Sequence, residues 1–303
     1  EQLKKHGKKI INTCYIYDGQ LIIGSIERIK DINIVPSPYL TGALDQYFQL
    51  PLIPMIETTR GCPFTCTFCA DGLAIKSKIN RYETQRTREE LQYIAKNINK
   101  VDELIVTDLN FGMYKQDMET AKEIANIQKN YNYPVSVDAP AGKNMPKRII
   151  NIASIMKGWS MGGVIQSSDP GVLKAIKRSN ISIDAYQDLI DFGNKQKANR
   201  TYTEIILGLP DDTKEKHFKS LRLGVEKNVN NLRMHQAMLL IGTEMASKKD
   251  REKYGLITKF RTLPGNVGNY NILNKEHPIA EVEEIVIGSN TLSVDDYIEC
   301  RIM

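Results

Sequence analysis

Gly61-Cys62-Pro63-Phe64-Thr65-Cys66-Thr67-Phe68-Cys69 sets three cysteines at C-x3-C-x2-C spacing directly after an apolar run that reads as a strand, residues 52–58. Three thiolates on one short loop can wrap a cubane iron-sulfur cluster and bond three of its irons, leaving the fourth open to another ligand. A structural zinc site would need a fourth protein ligand, because such sites are closed and tetrahedral. No histidine lies between Gly7 and Lys216, so a zinc site would have to draw on Cys14, Cys300 or a distant histidine. Inert buried thiols are the remaining alternative, although polar-flanked cysteines on one loop are an odd way to pack a core.

Outward from the cysteines, apolar runs of strand length alternate with longer stretches of helical period, the pattern of repeated βα units on a parallel sheet. Strands are expected near 52–58, 103–107, 134–138, 162–166, 201–207 and 232–238. Thr87, with Glu90 three positions on, predicts a capping box ahead of Leu91, Ile94 and Ala95. Residues 184–198 space Tyr186, Leu189, Ile190 and Gly193 along one helical face. Six units predict an α/β fold, a partial (β/α)6 TIM-like barrel over residues 52–245 that stays open on one side. Residues 1–51 read as a lead-in or linker, with a hairpin signal at Asp18-Gly19 and a break at Pro36-Ser37-Pro38. Residues 246–303 read as a C-terminal extension. Turns are expected there at Pro264-Gly265-Asn266 and Gly268-Asn269, and 280–287 reads as either helix or strand.

The 303 residues are 41% hydrophobic and 25% charged, the composition of an ordinary globular protein with a sizeable core. Forty-one Lys and Arg against 36 Asp and Glu leave a net charge of +5, and the basic groups at Lys4-Lys5, Lys8-Lys9, 174–178 and 248–251 read as solvated surface. No nucleic-acid partner is expected. No apolar run approaches the ~20 residues that span a bilayer, and no signal pattern opens the chain, so no membrane span and a cytoplasmic location are expected. Three of five cysteines clustered on one loop suit metal binding in a reducing compartment better than a disulfide framework. The chain opens on Glu1 rather than Met, which suggests an excerpt of a longer protein.

The cysteine motif resembles that of the radical S-adenosylmethionine superfamily, C-x3-C-x-aromatic-C on the loop after the first barrel strand, with Phe68 in the aromatic position. The resemblance runs over about residues 36–299. It implies that Cys62, Cys66 and Cys69 hold a [4Fe-4S] cluster whose open iron is chelated by S-adenosylmethionine. One-electron reduction then yields methionine and a 5'-deoxyadenosyl radical, chemistry carried by the cofactors while the protein orients them. Asp108-Leu109-Asn110-Phe111-Gly112 stands where relatives have a glycine-rich segment at the methionyl amino group, which implies a role for Asp108 or Asn110 there, although the glycine pair itself is absent. Gln166 and Ser167 match a ribose-binding segment, and an amide can both donate to and accept from hydroxyls. Arg178 matches the basic residue for the methionyl carboxylate, a group its planar fork suits. Glu204 matches an acidic ribose contact, and an acid within so apolar a strand needs a polar partner. Ile206 and Leu209 would pack near the adenine.

Pro36 to Gly42, Glu57 to Gly61 and Ile241 to Met245 resemble the subgroup that carries a cobalamin-binding domain before the barrel. This implies cobalamin held by a domain outside these residues, a reductant such as flavodoxin or ferredoxin, and methylation or rearrangement of an unactivated carbon. The substrate is not legible. The alternatives are a non-catalytic iron-sulfur electron carrier, which would want four cysteine ligands, and a zinc-stabilised binding module.

Overall fold

The computed structural model describes residues 9–196 and 201–303. Lys4, Lys5, Lys8 and the last residues of the helix expected over 184–198 lie outside them. The chain divides between Val35 and Pro36 into two compact units. In the first, β1 (Cys14–Tyr17) and β2 (Gln20–Ile23) form an antiparallel hairpin whose turn is Asp18-Gly19, both at positive φ. That geometry is what a two-residue turn between twisted strands demands.

The second unit is built on parallel strands. β3 (Met55–Ile56), β6 (Glu103–Val106) and β7 (Ser136–Asp138) lie side by side, and so do β8 (Met161–Gly162), β9 (Thr201–Leu207) and β10 (Asn231–Gln236). A parallel bridge from Val137 to Trp159, just before β8, links the two groups. The neighbours therefore follow chain order. Between β3 and β6 the short strands β4 (Thr59–Arg60) and β5 (Asn80–Arg81) pair antiparallel and pinch off the cysteine loop.

The helices α1 (Thr84–Asn97), α2 (Asp117–Tyr131), α3 (Pro146–Ile155), α4 (Pro170–Ala175), α5 (Ile183–Lys195) and α6 (Lys214–Glu226) fill the crossovers. In α5 the Ser182 hydroxyl accepts from the Ala185 amide, and the buried face is Tyr186, Leu189, Ile190 and Gly193. Such a cap contributes about 1 kcal/mol. The capping box at Thr87 does not form. β5 and the bond from the Tyr82 amide to the Thr58 carbonyl hold the chain extended up to Tyr82, and the helix starts soon after, at Thr84. Thr87 and Glu90 then fall inside it on the buried face, where Glu90 pairs with Arg86 at 3.0 Å.

The main core joins Leu91 and Ile94 of α1, Leu104 and Val106 of β6, Ile124 and Ile127 of α2, and Trp159. Tyr39 and Phe48 belong to the same core, and the Tyr39 hydroxyl donates to the Met55 carbonyl, so residues 36–51 pack on the first parallel strand.

After α7 (Lys248–Tyr254) the chain runs into one long antiparallel ribbon, β11 (Ile257–Ile272) with β12 (Lys275–Gly288), before α8 (Val294–Ile302). The turns expected at 264–266 and 268–269 are absent. A register break between Thr262 and Val267 absorbs Pro264 and Gly265, as bulges do, and the reversal comes at Leu273-Asn274, both at positive φ. Residues 280–287 are strand. The base of the ribbon joins the segment after β10: Leu239 donates to Glu284, Val286 donates to Ala237, and Met238 bridges Ile285 antiparallel. Among the described residues no helix is long and apolar enough to cross a membrane.

Candidate active site

The cysteine loop is fastened at several points. Gly61 sits at φ +108, and a Cβ there would come within 2.5 Å of the Lys78 carbonyl, so only glycine lets the two ends of the loop approach. The Cys62 amide donates to Lys76, the Thr67 amide donates to Ile176 at the end of α4, and Met245 donates to the Thr67 carbonyl. Asp108, at the exit of β6, accepts from the Thr58 and Thr59 amides at 2.6 and 3.0 Å and from the Thr58 hydroxyl. Burial pushes its carboxyl above the usual range, and the bonds from Thr58 and Thr59 oppose that rise. Asp108 thus braces the lead into the cysteines with its side chain.

Cys62 and Cys66 are buried and Cys69 is half-buried, all three as free thiols. Asn110, on the turn after β6, points its amide nitrogen at the Cys62 sulfur, 3.4 Å away. That turn is itself held by Asp117, which accepts from the Gly112 and Tyr114 amides. Lys143, on the segment after β7, reaches the Cys66 sulfur at 3.3 Å. The Arg178 guanidinium, buried behind α4, bonds the Val164 carbonyl and Asn180 and also contacts Cys66. Burial pulls it below the usual arginine value, while Cys66 and Cys69 act in the opposite direction.

Beside Cys69 opens a cavity of about 330 Å³ lined by Phe68, Gln166, Glu204, Ile206, His235 and Arg261, among others. Gln166 and Glu204 adjoin there because the Gln166 amide donates to the Glu204 carbonyl and Gln166 accepts from Ile206, which extends the sheet past β8. Gln166 holds φ +60, uncommon for a residue with a side chain, and its buried Oε1 has no partner. Glu204 lies 3.5 Å from Arg233 and 3.8 Å from His235. Two expected site residues are turned elsewhere. The Ser167 hydroxyl accepts from the Asp169 amide, and Leu209 is fully buried in a cluster with Val172, Ile176 and Val286.

The residues suit a cluster and a nucleoside ligand. Three free thiols lie on one short loop, the Asn110 and Gln166 side-chain oxygens are buried and unpartnered, and polar groups border a cavity beside Cys69. Among the described residues no three His, Cys, Asp or Glu converge closely enough for a single ion. A cluster asks for less convergence, since each thiolate bonds a different iron. The sequence reading missed Lys143, His235 and Arg261. The only local signal for Lys143 was its place after a parallel strand, and Arg261 arrives from the ribbon.

The family profile described as the Radical SAM superfamily matches residues 56–223, which takes in the cysteine loop and the strands bearing Gln166 and Glu204. The chain is 30% identical over 295 residues to the cobalamin-dependent radical SAM methyltransferase TokK of Streptomyces tokunonensis, an alignment covering 90% of this chain and 40% of that protein. It is also 30% identical to the 2-(S-pantetheinyl)-carbapenam-3-carboxylate methyltransferase of Streptantibioticus cattleyicolor, over 90% of this chain and 41% of the relative. The chain therefore spans about 40% of the length of these curated relatives. Among solved structures, the radical S-adenosylmethionine methyltransferase TsrM of Kitasatospora setae superposes with a TM-score of 0.59 at 14% identity, covering 77% of this chain and 43% of that one, a likeness of fold. With the profile extending over more than half of its length, and the cysteine loop and parallel strands where that profile matches, the chain belongs to the radical SAM superfamily.

Proposed function

We infer that this chain is the catalytic core of a cobalamin-dependent radical SAM methyltransferase. The observation that carries the reading is one loop of three free thiols, with Asn110 at the Cys62 sulfur, Lys143 and Arg178 at the Cys66 sulfur and Cys69 on a polar-rimmed cavity, in a chain 30% identical to two methyltransferases, one of them a cobalamin-dependent radical SAM methyltransferase. Cys62, Cys66 and Cys69 would hold the [4Fe-4S] cluster. When bound and reduced, the cluster supplies the electron that cleaves S-adenosylmethionine to methionine and a 5'-deoxyadenosyl radical.

The chain's own residues do the binding and orienting. Gln166 and Glu204 offer an amide and a carboxylate to the ribose hydroxyls, with Ile206 and Phe68 as the apolar wall for the adenine. Arg178 is buried near Cys66, a place from which it can pair with the methionyl carboxylate, and the backbone of the Asn110 turn would receive the amino group. The strands over residues 52–245 are read as a partial (β/α)6 barrel, with residues 36–51 and the extension 246–303 packed on it. Cobalamin would be held by a part of the protein beyond this chain, and a flavodoxin or ferredoxin would deliver electrons in the cytoplasm.

The test is anaerobic reconstitution of the full-length protein. Wild type should take up one four-iron cluster, and Cys62→Ala, Cys66→Ala or Cys69→Ala should each abolish it, whereas Cys14→Ala and Cys300→Ala should not. Full iron content in Cys66→Ala would overturn the assignment.

A further inference from the structure

We propose that Lys143 is a positioning residue that sets the reduction potential of the cluster through its hydrogen bond to the Cys66 sulfur. The inference rests on the cluster assignment above and goes beyond it, since it concerns a side chain that neither the cysteine motif nor the cavity singles out.

The geometry commits Lys143 to this place from both ends. Its ammonium is 3.3 Å from the Cys66 sulfur and 4.6 Å from the centre of the Phe64 ring, a cation-π contact to the same loop. Its backbone is held close to the Asn110 turn. Phe111 donates to the Pro140 carbonyl, Gly142 donates back to the Phe111 carbonyl, and Phe111 bridges Ala141. A Cβ at Gly142 would stand 2.8 Å from the Met113 Cβ and 3.2 Å from the Asn110 carbonyl, so this approach needs glycine next to the lysine. One joined pair of loops therefore carries a donor to each buried thiol, Asn110 to Cys62 and Lys143 to Cys66.

The two donors differ in charge. Reduction by one electron adds negative charge to a cluster that three thiolates already make electron-rich, and hydrogen bonds to the sulfurs are among the levers that set such potentials. The dipole of a neutral donor favours the more negative state weakly, whereas a full positive charge favours it more strongly. Lys143 should therefore make the cluster easier to reduce. Arg178, the other cation at Cys66, shares its guanidinium among that sulfur, the Val164 carbonyl and Asn180, whereas the Lys143 ammonium is directed at the sulfur and the Phe64 ring.

The experiment is a dithionite titration, followed by electron paramagnetic resonance, of the reconstituted full-length protein without S-adenosylmethionine. Lys143→Met should shift the reduction equilibrium against the reduced cluster by roughly tenfold, about 59 mV lower for a one-electron couple. Lys143→Arg, which keeps the charge, should stay close to wild type, and Lys143→Gln, which keeps an N–H donor without the charge, should fall between wild type and the methionine variant. Equal midpoints in wild type and Lys143→Met, with equal iron content, would overturn the inference and leave the cluster assignment standing. So would an unchanged midpoint accompanied by weaker S-adenosylmethionine binding, which would make Lys143 a ligand-binding group instead. If Lys143→Met and Lys143→Gln both keep native circular dichroism but take up no iron, the lysine serves cluster assembly and the inference fails. If wild type itself binds no iron, the functional reading falls and takes this inference with it.

Discussion

Glu204 and Leu209 lie close together in the segment Thr203 to Pro210, yet they face different surroundings. Glu204 borders the cavity beside Gln166, with Arg233 and His235 as its nearest charged or ionisable neighbours, whereas Leu209 is fully buried among Val172, Ile176 and Val286. Losing a hydrogen bond to a charged acceptor costs ~1.5 to 3 kcal/mol, so Glu204→Ala should weaken S-adenosylmethionine binding roughly ten- to a hundredfold while the cluster stays intact. Calorimetric titration of cluster-loaded protein measures this directly, and equal affinities would remove Glu204 from the site. Leu209→Ala should instead cost ~2 to 5 kcal/mol of folding stability by denaturant unfolding, with affinity near wild type in the folded protein. A loss of affinity without a loss of stability would return Leu209 to the binding site.

At the scale of one helix, α6 buries His217 with its Nδ1 unpartnered and its Nε2 3.2 Å from the Met234 sulfur. Burial lowers its pKa from 6.5 to about 4, so the ring is neutral at pH 7 and its 3.9 Å approach to Asp212 is not an ion pair. A histidine depressed in this way contributes stability that is present above its unfolded pKa of 6.5 and lost as pH falls toward 4. Asp212 acts in the opposite sense. Burial raises it from 3.8 to about 7, so its contribution is present below 3.8 and lost as pH rises through 7. His217→Leu removes only the first effect. On going from pH 7 to pH 4 the gap in stability between the variant and wild type should shift by about 3 kcal/mol in the variant's favour. Chemical unfolding at the two pH values measures it, and a gap that ignores pH would mean that the buried ring does not resist protonation.

Across the whole second unit, the ribbon of β11 and β12 works as two parts. Its base continues the sheet beyond β10 and places Val286 in the core and Arg261 on the cavity, where Arg261 bonds Gln236 and Glu283. Its outer part is exposed, with Val267 69% and Leu273 93% accessible, so those side chains contribute little burial within this chain. Replacing residues 263–281 with Asn-Gly should therefore leave stability within about 1 kcal/mol of wild type, whereas Val286→Ala should cost about 2 kcal/mol through the cavity it opens. Thermal unfolding compares the two variants, and equal losses would show that the outer ribbon is packed after all.

Local properties carried most of what was readable before the fold was known. The C-x3-C-x2-C spacing, the alternation of strand and helix periods and the Asp18-Gly19 turn are each written within a few neighbouring residues, and they were enough for the parallel α/β class and the superfamily. The helix face of α5 was legible for the same reason, because its period is a local pattern. Where a distant contact overrode local preference, reading along the chain failed. β5 and Thr58 held Tyr82 extended and pre-empted the cap at Thr87, and pairing with β12 carried β11 straight through Pro264-Gly265. The surroundings of the cysteines were decided by tertiary structure alone. Asp108 braces Thr58 and Thr59 across 50 and 49 positions, and Lys143 reaches Cys66 across 77. No local pattern encodes which strand end will face which loop. That follows from the sheet register and from the glycines at 61 and 142, which let separate backbones approach closely enough to bring those side chains within reach of one another.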